Sequence, residues 1–255
     1  MLAIQCPQGS DQWHKERAGC ITASMFSVAR ERVGGLTKQQ ALYVDSIKRG
    51  LSESSAMEAA GYKSKPRSEL IEKVLSGEQV GDYSEAAKNY AFRLAVERIG
   101  GEPLDGGFET WQMRRGHELE PDARMAHEIR TGLIVQQVGI VKTDDGVFGA
   151  SADGFIGDDG VSEYKCFLAP EKLRAFHIDR DADSIKDQVQ GVLWITGRKW
   201  AHIGMYCPAL KSVGRELWLG EYDRDEEYIE ELEADLWKFK LLVDEYEARL
   251  RDKAA

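Results

Sequence analysis

Apolar and polar positions fall into three regimes along the chain. Near the C-terminus Ile229, Leu232, Leu236, Phe239, Val243, Tyr246 and Leu250 recur at spacings of three and four, which lays them on one face of a long helix over about 225–253. Such a stripe packs on its own domain or on another subunit, since seven positions on one side do not specify a coiled coil. From about 37 to 99 the residues are rich in Ala, Glu and Lys, with breaks at Gly50, Gly61 and Gly77, so helices are predicted there. We read about 35–110 as a helical insertion, ended by Gly-Gly-Glu-Pro at 100–103 and Asp-Gly-Gly at 105–107.

The third regime is strand-like. Segments 133–141, 146–156 and 161–167 predict strands, and 200–206 and 216–222 two more. Between them a helix is predicted at 118–130, stopping at Gly132, with Pro121 in the first turn, where backbone donors are unpaired, and Glu120 near the helix start. Another is predicted at 184–196, from a Ser184 cap with Asp187 three residues on to Gly197. At the N-terminus Ser10 or Asp11 caps a short helix that stops at Gly19, and Thr22 can cap a second. The free N–H groups of that second helix would form a phosphate cradle. The whole reads as α/β, a mixed central sheet flanked by helices, with a catalytic core over about 111–222.

Composition narrows the class. A length of 255 residues fits a single domain with an insertion. No run is apolar for long enough to span a bilayer, and the N-terminus lacks a basic start with an apolar stretch, so a cytoplasmic protein is expected. Cys6, Cys20, Cys166 and Cys207 lack a CxxC spacing, which suits reduced thiols better than a disulfide frame or a zinc cluster. A net charge of −10 confines any contact with nucleic acid to a local basic groove.

The most informative stretch runs from Gly149 to Cys166. With Asp158-Asp159-Gly160 as a three-residue loop and Gly160 left-handed, Asp153 lies opposite Lys165 and diagonal to Glu163, all on one face. A two-residue loop would place Asp153 on the other face. Two carboxylates and an ammonium together are costly without a compensating cation. Magnesium prefers oxygen ligands and keeps several waters, so Asp153, Glu163 and the Tyr164 carbonyl make a sensible half-shell, with Glu120 as a further ligand. Lys165 would orient the attacking water or stabilise developing charge. The plain alternative is a surface salt bridge between Lys165 and Asp153 or Glu163.

Four blocks in order resemble the lambda-type phage exonucleases, the YqaJ-like viral recombinases, within the PD-(D/E)xK restriction-endonuclease-like fold. They are Trp13-His-Lys-Glu-Arg-Ala-Gly-Cys-Ile-Thr-Ala-Ser24, Arg115-Gly-His-Glu-Leu-Glu-Pro-Asp-Ala-Arg124, Ser151-Ala-Asp-Gly154 with Glu163-Tyr-Lys-Cys166, and Gln188-Val-Gln-Gly-Val-Leu-Trp194. The resemblance covers the first 24 residues and about 115–207. It implies Asp153 and Glu163 as metal ligands, Lys165 as the catalytic lysine and Glu120 as the helical carboxylate, with Glu118 its rival. It further implies Arg17 as the binder of a 5′-terminal phosphate, aided by Thr22 and Ser24. Gln188 would hold substrate phosphate or the surroundings of the nucleophile. Ser151 and Gln190 are further candidates for DNA contact, while Trp13 reads as core rather than a base platform.

The implied activity is magnesium-dependent 5′→3′ digestion of double-stranded DNA ends, leaving 3′ single-stranded tails for recombination. Two ions per site, with Mn²⁺ able to substitute, a ring-like homo-oligomer such as a trimer, a single-strand annealing protein as partner and a phage or prophage origin in a bacterial host follow from the same resemblance. An endonuclease on the same fold and a non-catalytic DNA-binding protein are the alternatives. Ala152 departs from the family by replacing a proline that often precedes the metal-binding Asp. The insertion is the second departure, and its segment Ser54–Arg67, with Lys63, Lys65 and Arg67, faintly resembles a helix-turn-helix where an ordinary helical lid is the simpler reading.

Overall fold

A computed structural model of the chain describes residues 1–78, 80–104 and 110–252; the Asp-Gly-Gly turn expected at 105–107 and the last residue of the predicted C-terminal helix lie outside them. Two compact units emerge, Arg30–Asn89 and a larger one made of Met1–Ala29 with Tyr90–Ala255. In chain order the elements are β1 (Leu2–Ile4), α1 (Asp11–Arg17), β2 (Ile21–Thr22), α2 (Phe26–Arg30), β3 (Arg32–Val33), α3 (Lys38–Lys48), α4 (Glu53–Ala59), α5 (Glu69–Leu75), β4 (Asp82–Tyr83) and α6 (Glu85–Gly100). They continue with α7 (Trp111–Thr131), β5 (Val135–Gln136), β6 (Ile140–Lys142), β7 (Phe148–Ala150), β8 (Gly154–Ile156), β9 (Gly160–Lys165), α8 (Pro170–Arg174), α9 (Lys186–Thr196), β10 (Trp200–Tyr206), β11 (Leu217–Asp223) and α10 (Glu226–Arg251). No described helix is long and apolar enough to cross a membrane.

The larger unit holds two sheets, one ordered β11-β10-β9-β8-β5 and the other β1-β6-β7-β2. Both are mixed, because β9 with β10 and β2 with β7 are the parallel pairs. Each of the predicted strands 133–141 and 146–156 is divided between the two sheets, since β5 pairs β8 while β6 pairs β7. At this corner the Gln8 amide donates to the carbonyls of both Val138 (3.2 Å) and Ala152 (2.7 Å), satisfying groups that the interrupted ladders cannot. A remote side chain completes the bend, so hydropathy alone reads each strand as continuous.

Packing runs from sheet to helix to helix: α9 lies on β6, β7 and β10, and α10 on α9. Gly191 lets α9 approach α2 as well, for a Cβ there would stand 2.4 Å from the Phe26 ring. The α10 stripe buries Ile229, Leu232, Leu236, Phe239 and Val243 within the larger unit, with Phe239 stacked on Tyr90, while Leu250 is exposed. α9 departs from expectation at its start. Ser184 lies within a 3-10 turn, Ile185 occupies the cap position without a side-chain bond, and Asp187 instead accepts from the Tyr228 hydroxyl at 2.5 Å.

The smaller unit is three helices closed by a ribbon. α3 starts on a Thr37–Gln40 capping box, and Tyr43, Val44, Ala56, Ala60 and Ile71 form its core. It begins at Arg30 and ends at Asn89, and α6 runs out of it into the larger unit, so the helical segment expected over 35–110 is divided. The connection from α4 to α5 spans the nine residues from Ala60 to Ser68, against three or four in a helix-turn-helix. Lys65 there pairs with Glu53, and α5 opens with the acidic Glu69 and Glu72. A connection of helix-turn-helix length lies instead between α3 and α4, in the four residues from Arg49 to Ser52.

Candidate active site

Strand register assembles the acidic centre. β8 and β9 pair Gly154 with Ser162 and Ile156 with Gly160, leaving Gly157-Asp158-Asp159 as the loop. The expected three-residue loop is present but one position earlier. Gly157 takes the left-handed φ of +53°, whereas Gly160 is in the strand, where a Cβ would stand 2.3 Å from the Trp200 ring. Each pairing therefore shifts by two, an even step that keeps every side chain on its face. The Asp153 amide donates to the Ser162 carbonyl at 3.1 Å, so Asp153 stands opposite Glu163 and diagonal to Lys165, the reverse of the expected order.

Glu120 comes from α7, which starts seven residues before the predicted helix and carries Pro121 in its interior. A proline there costs about 3 kcal/mol relative to alanine, a penalty that had argued for a helix start. Glu120, Asp153, Glu163 and Lys165 line one cavity of about 520 Å³, walled further by Phe167, Leu168 and Lys172. Glu118, two residues from Glu120, is exposed and absent from that lining, which favours Glu120 as the helical carboxylate.

The electrostatics of the cavity are those of crowded negative charge. Burial first, then Glu163 and Glu120, hold the Asp153 carboxyl well above the usual carboxylate range. Burial likewise raises Glu120, with Glu163 adding to it and Arg124 and His117 opposing. Burial pulls the Lys165 ammonium down, and Glu163 and Asp153 more than reverse this, leaving it raised. Lys165 Nζ donates to Glu163 Oε1 at 2.7 Å and to Gln188 Oε1 at 2.9 Å, while the Gln188 amide donates to the same Glu163 oxygen at 2.5 Å. The second Glu163 oxygen, Oε2, is buried with no hydrogen-bond partner.

That orphaned oxygen fits a cation. A buried carboxylate oxygen without a donor is costly, and three carboxylates around one cavity suit a hard divalent ion. Among the described residues no three acidic, His or Cys groups are already gathered in ligand geometry. Asp153 Oδ2 accepts from the Tyr164 amide at 2.5 Å, and Lys165 with Gln188 occupies Glu163 Oε1.

A second polar site surrounds Arg17. Ser10 caps α1 by accepting from the Trp13 amide, and Arg17 lies in the last turn with its guanidinium 4.2 Å from the Trp13 ring centroid. It donates to Thr22 Oγ1 (3.1 Å), Ser24 Oγ (3.2 Å) and Ser151 Oγ (3.5 Å). Trp13 Nε1 also donates to Ser151, at 2.9 Å. Among the described residues Arg17 pairs with hydroxyls and an indole ring and with no carboxylate, and burial lowers its pKa. Such a guanidinium is suited to an anion. The expected cradle of helix N–H groups is a different matter: Thr22 makes no cap bond, its hydroxyl being turned to Arg17, and α2 is only five residues long. Hydroxyls take the place of amides.

Gln190 belongs to neither site. It is buried, donates to the Asp223 carbonyl at 2.9 Å and accepts from the Asp225 amide at 3.0 Å, so it pins the β11–α10 junction rather than touching DNA. Residues the sequence did not single out come from α6. Glu97 is buried beneath the Arg17 site, where it accepts from the Gly19 and Leu104 amides at 2.9 and 3.2 Å and from Arg93 Nε at 2.8 Å. Arg93 and Tyr90 line the same cavity of about 370 Å³, and the Tyr90 hydroxyl accepts from the Thr22 amide at 3.1 Å. A paired Arg-x-x-x-Glu on a helix reads as a solvated surface pair, which is why it gave no signal.

The fold has counterparts among known structures. An alkaline exonuclease, LHK-Exo, from Laribacter hongkongensis superposes with a TM-score of 0.68 at 24% identity, covering 96% of this chain and 98% of that one. Its complex with dAMP gives 0.66 at 23% identity over the same shares. A phage related exonuclease from Haemophilus somnus 129PT gives 0.55 at 13% identity, covering 89% of this chain and 99% of that one. No curated protein matches the chain by sequence. The family model of the YqaJ-like viral recombinase domain matches residues 12–199, a span that takes in α1 from Gln12 onward, with Arg17, and every residue of the acidic cavity, and the chain belongs to that family.

Proposed function

We propose that the chain is a magnesium-dependent exonuclease that digests double-stranded DNA from its 5′ ends and leaves 3′ single-stranded tails for phage-type recombination. The observation that carries this reading is the short link between the two sites. Ser151, which touches Arg17, is two residues from Asp153, at most about 7 Å along the backbone. A terminal phosphate on Arg17 would therefore lie close to the phosphodiester at the carboxylates, so that removal would proceed in small steps from an end. The solved relative's complex with dAMP is a complex with a mononucleotide, the class of product such steps release.

Asp153, Glu163, the Tyr164 carbonyl and Glu120 would hold the metal. When bound, one or two magnesium ions, or manganese in their place, would lower the pKa of the attacking water and neutralise charge on the phosphate. Lys165 is fixed between Glu163 and Gln188, and its ammonium would orient the water or take up charge on the phosphate oxygens. Gln188 acts through Lys165 and Glu163 and is a positioning residue. Arg17, Thr22, Ser24 and Ser151 would bind the 5′-phosphate, with Arg93 beside them. A ring-like homo-oligomer, a single-strand annealing partner and action in the bacterial host cytoplasm complete the reading on family membership alone.

Linear duplexes with 5′-phosphate or 5′-hydroxyl ends, and a closed circular duplex, test it in the presence of magnesium. Mononucleotide release from the phosphorylated linear duplex, slower release from the hydroxyl form and an intact circle are expected. A cut circle would replace this reading by an endonuclease, and an unchanged rate on the two ends would remove Arg17 from end recognition.

A further inference from the structure

Tyr164 stands between Glu163 and Lys165 in β9, and strand alternation turns its ring to the opposite face. There it packs with Ala123, Tyr206 and Leu217, and its hydroxyl lies 2.7 Å from Nδ1 of His127. Nε2 of His127 lies 2.8 Å from Nδ1 of His202, and the Glu221 carboxylate lies 3.7 Å from the far nitrogen of His202. His127 is fully buried, and none of the chemistry above uses it. It sits on α7 two turns beyond Glu120, while His202 is in register with Ser162 of β9 and Glu221 of β11.

One proton order makes both short bonds with both rings neutral. Tyr164 O–H donates to His127 Nδ1, His127 Nε2–H donates to His202 Nδ1, and His202 Nε2–H faces Glu221. The reverse order would turn a bare nitrogen lone pair toward a carboxylate. Burial agrees with neutral rings, for it lowers His127 to about 4 and lowers His202 as well.

We propose that the hydrogen bond from Tyr164 to His127 fixes α7 against β9 and so sets the placement of Glu120 against Asp153 and Glu163, with His202 holding the His127 ring. This makes Tyr164 and His127 positioning residues for the cation site and rests on the metal-dependent reading above. The geometry is specific to that task. The bond joins the two elements that carry Glu120 and Glu163, and the main chain of the same Tyr164 holds Asp153 through its amide. Apolar contacts alone would let a helix slide or turn on a sheet, whereas a buried hydrogen bond has a direction and is costly to break.

Mn²⁺ binding without DNA, measured by calorimetry on the full chain, tests the proposal at a temperature where circular dichroism shows every variant folded. Tyr164→Phe removes the hydroxyl and little else, and weaker Mn²⁺ binding by about tenfold is expected, as for outer partners of metal ligands. Two His127 variants separate the bonds: His127→Asn places an amide near Nδ1 and keeps the link to Tyr164, whereas His127→Gln reaches for His202. Tighter Mn²⁺ binding by His127→Asn than by His127→Gln is expected. Tyr164→Phe binding within about twofold of wild type, or the opposite order of the two His127 variants, would overturn the positioning role. Wild-type protein that binds no Mn²⁺ would instead overturn the metal-dependent reading itself.

Discussion

Asp153 is a buried carboxyl facing two others, and its raised pKa has a thermodynamic consequence. A group whose folded pKa lies above its ordinary value of about 3.9 stabilises the fold below that value and loses the contribution as pH rises through the folded pKa. Metal-free protein should therefore lose stability as pH climbs above about 4, and a bound cation, which displaces the proton, should restore it. The rise in melting temperature caused by Mn²⁺ is expected to grow between acid and neutral pH and to vanish in Asp153→Asn. Differential scanning fluorimetry across that range checks this, and a rise that ignores pH would contradict it. Lys165→Ala should lower turnover by at least about a hundredfold with DNA-end binding kept, as gel shifts in EDTA would report. That Asp153, Glu163 and Lys165 share a face was legible in the sequence, because a spacing of two on a strand fixes that face whichever three-residue loop forms. Which residue faces which was not, since the choice between Gly157 and Gly160 is made by Trp200, some forty positions away.

Elements were legible where local chemistry governs them and misread where a distant partner does. α10 and its stripe, β10 and β11 follow from periodicity, and the Ser10 cap of α1 from its own side chain. α7 was shortened because Pro121 reads as a helix start, yet the helix face Leu119, Ala123 and Ala126 packs against Tyr164, Tyr206 and Leu217, and that tertiary contact outweighs the local penalty. α9 shows how one turn can separate two roles. Gln188 holds Lys165 and Glu163, whereas Gln190, two residues on, faces the β11–α10 junction. Gln190→Ala should cost about 1–3 kcal/mol of stability by leaving Asp223 and Asp225 backbone groups unpaired, with Mn²⁺ affinity unchanged. Gln188→Ala should melt near wild type and lose turnover. Urea unfolding beside nuclease rates separates the two, and the reverse pattern would return Gln190 to the site.

At the scale of the whole molecule the acidic balance and the helical insertion bear on each other. Arg30–Asn89 carries ten basic and nine acidic residues, so the excess of acid behind the net charge of −10 belongs to the larger unit. Any DNA grip in that unit must be local, which agrees with Arg17 and Arg93 lining one cavity. The sequence shows where the insertion is rich in helix but not where it closes, because β3 and β4 are two residues each and too short for a pattern. Their pairing of Arg32 with Tyr83 and Val33 with Asp82 brings the two ends of the insertion side by side, and the Ser84 amide and hydroxyl bond Glu31 at 3.0 and 2.7 Å just outside it. Adjacent ends of an antiparallel pair can be joined by a two-residue Asn-Gly turn. Replacing 34–81 with that turn should leave a folded protein that still binds Mn²⁺, since every residue of the acidic cavity and of the Arg17 cavity lies in the larger unit. The nearly balanced charge of the removed segment means that long-range electrostatics should change little, so any loss of DNA binding in the shortened chain would reflect contacts made by the insertion itself. Calorimetry with Mn²⁺ and melting curves decide the first point. A shortened chain that fails to fold would show that the insertion is part of the core rather than an addition to it.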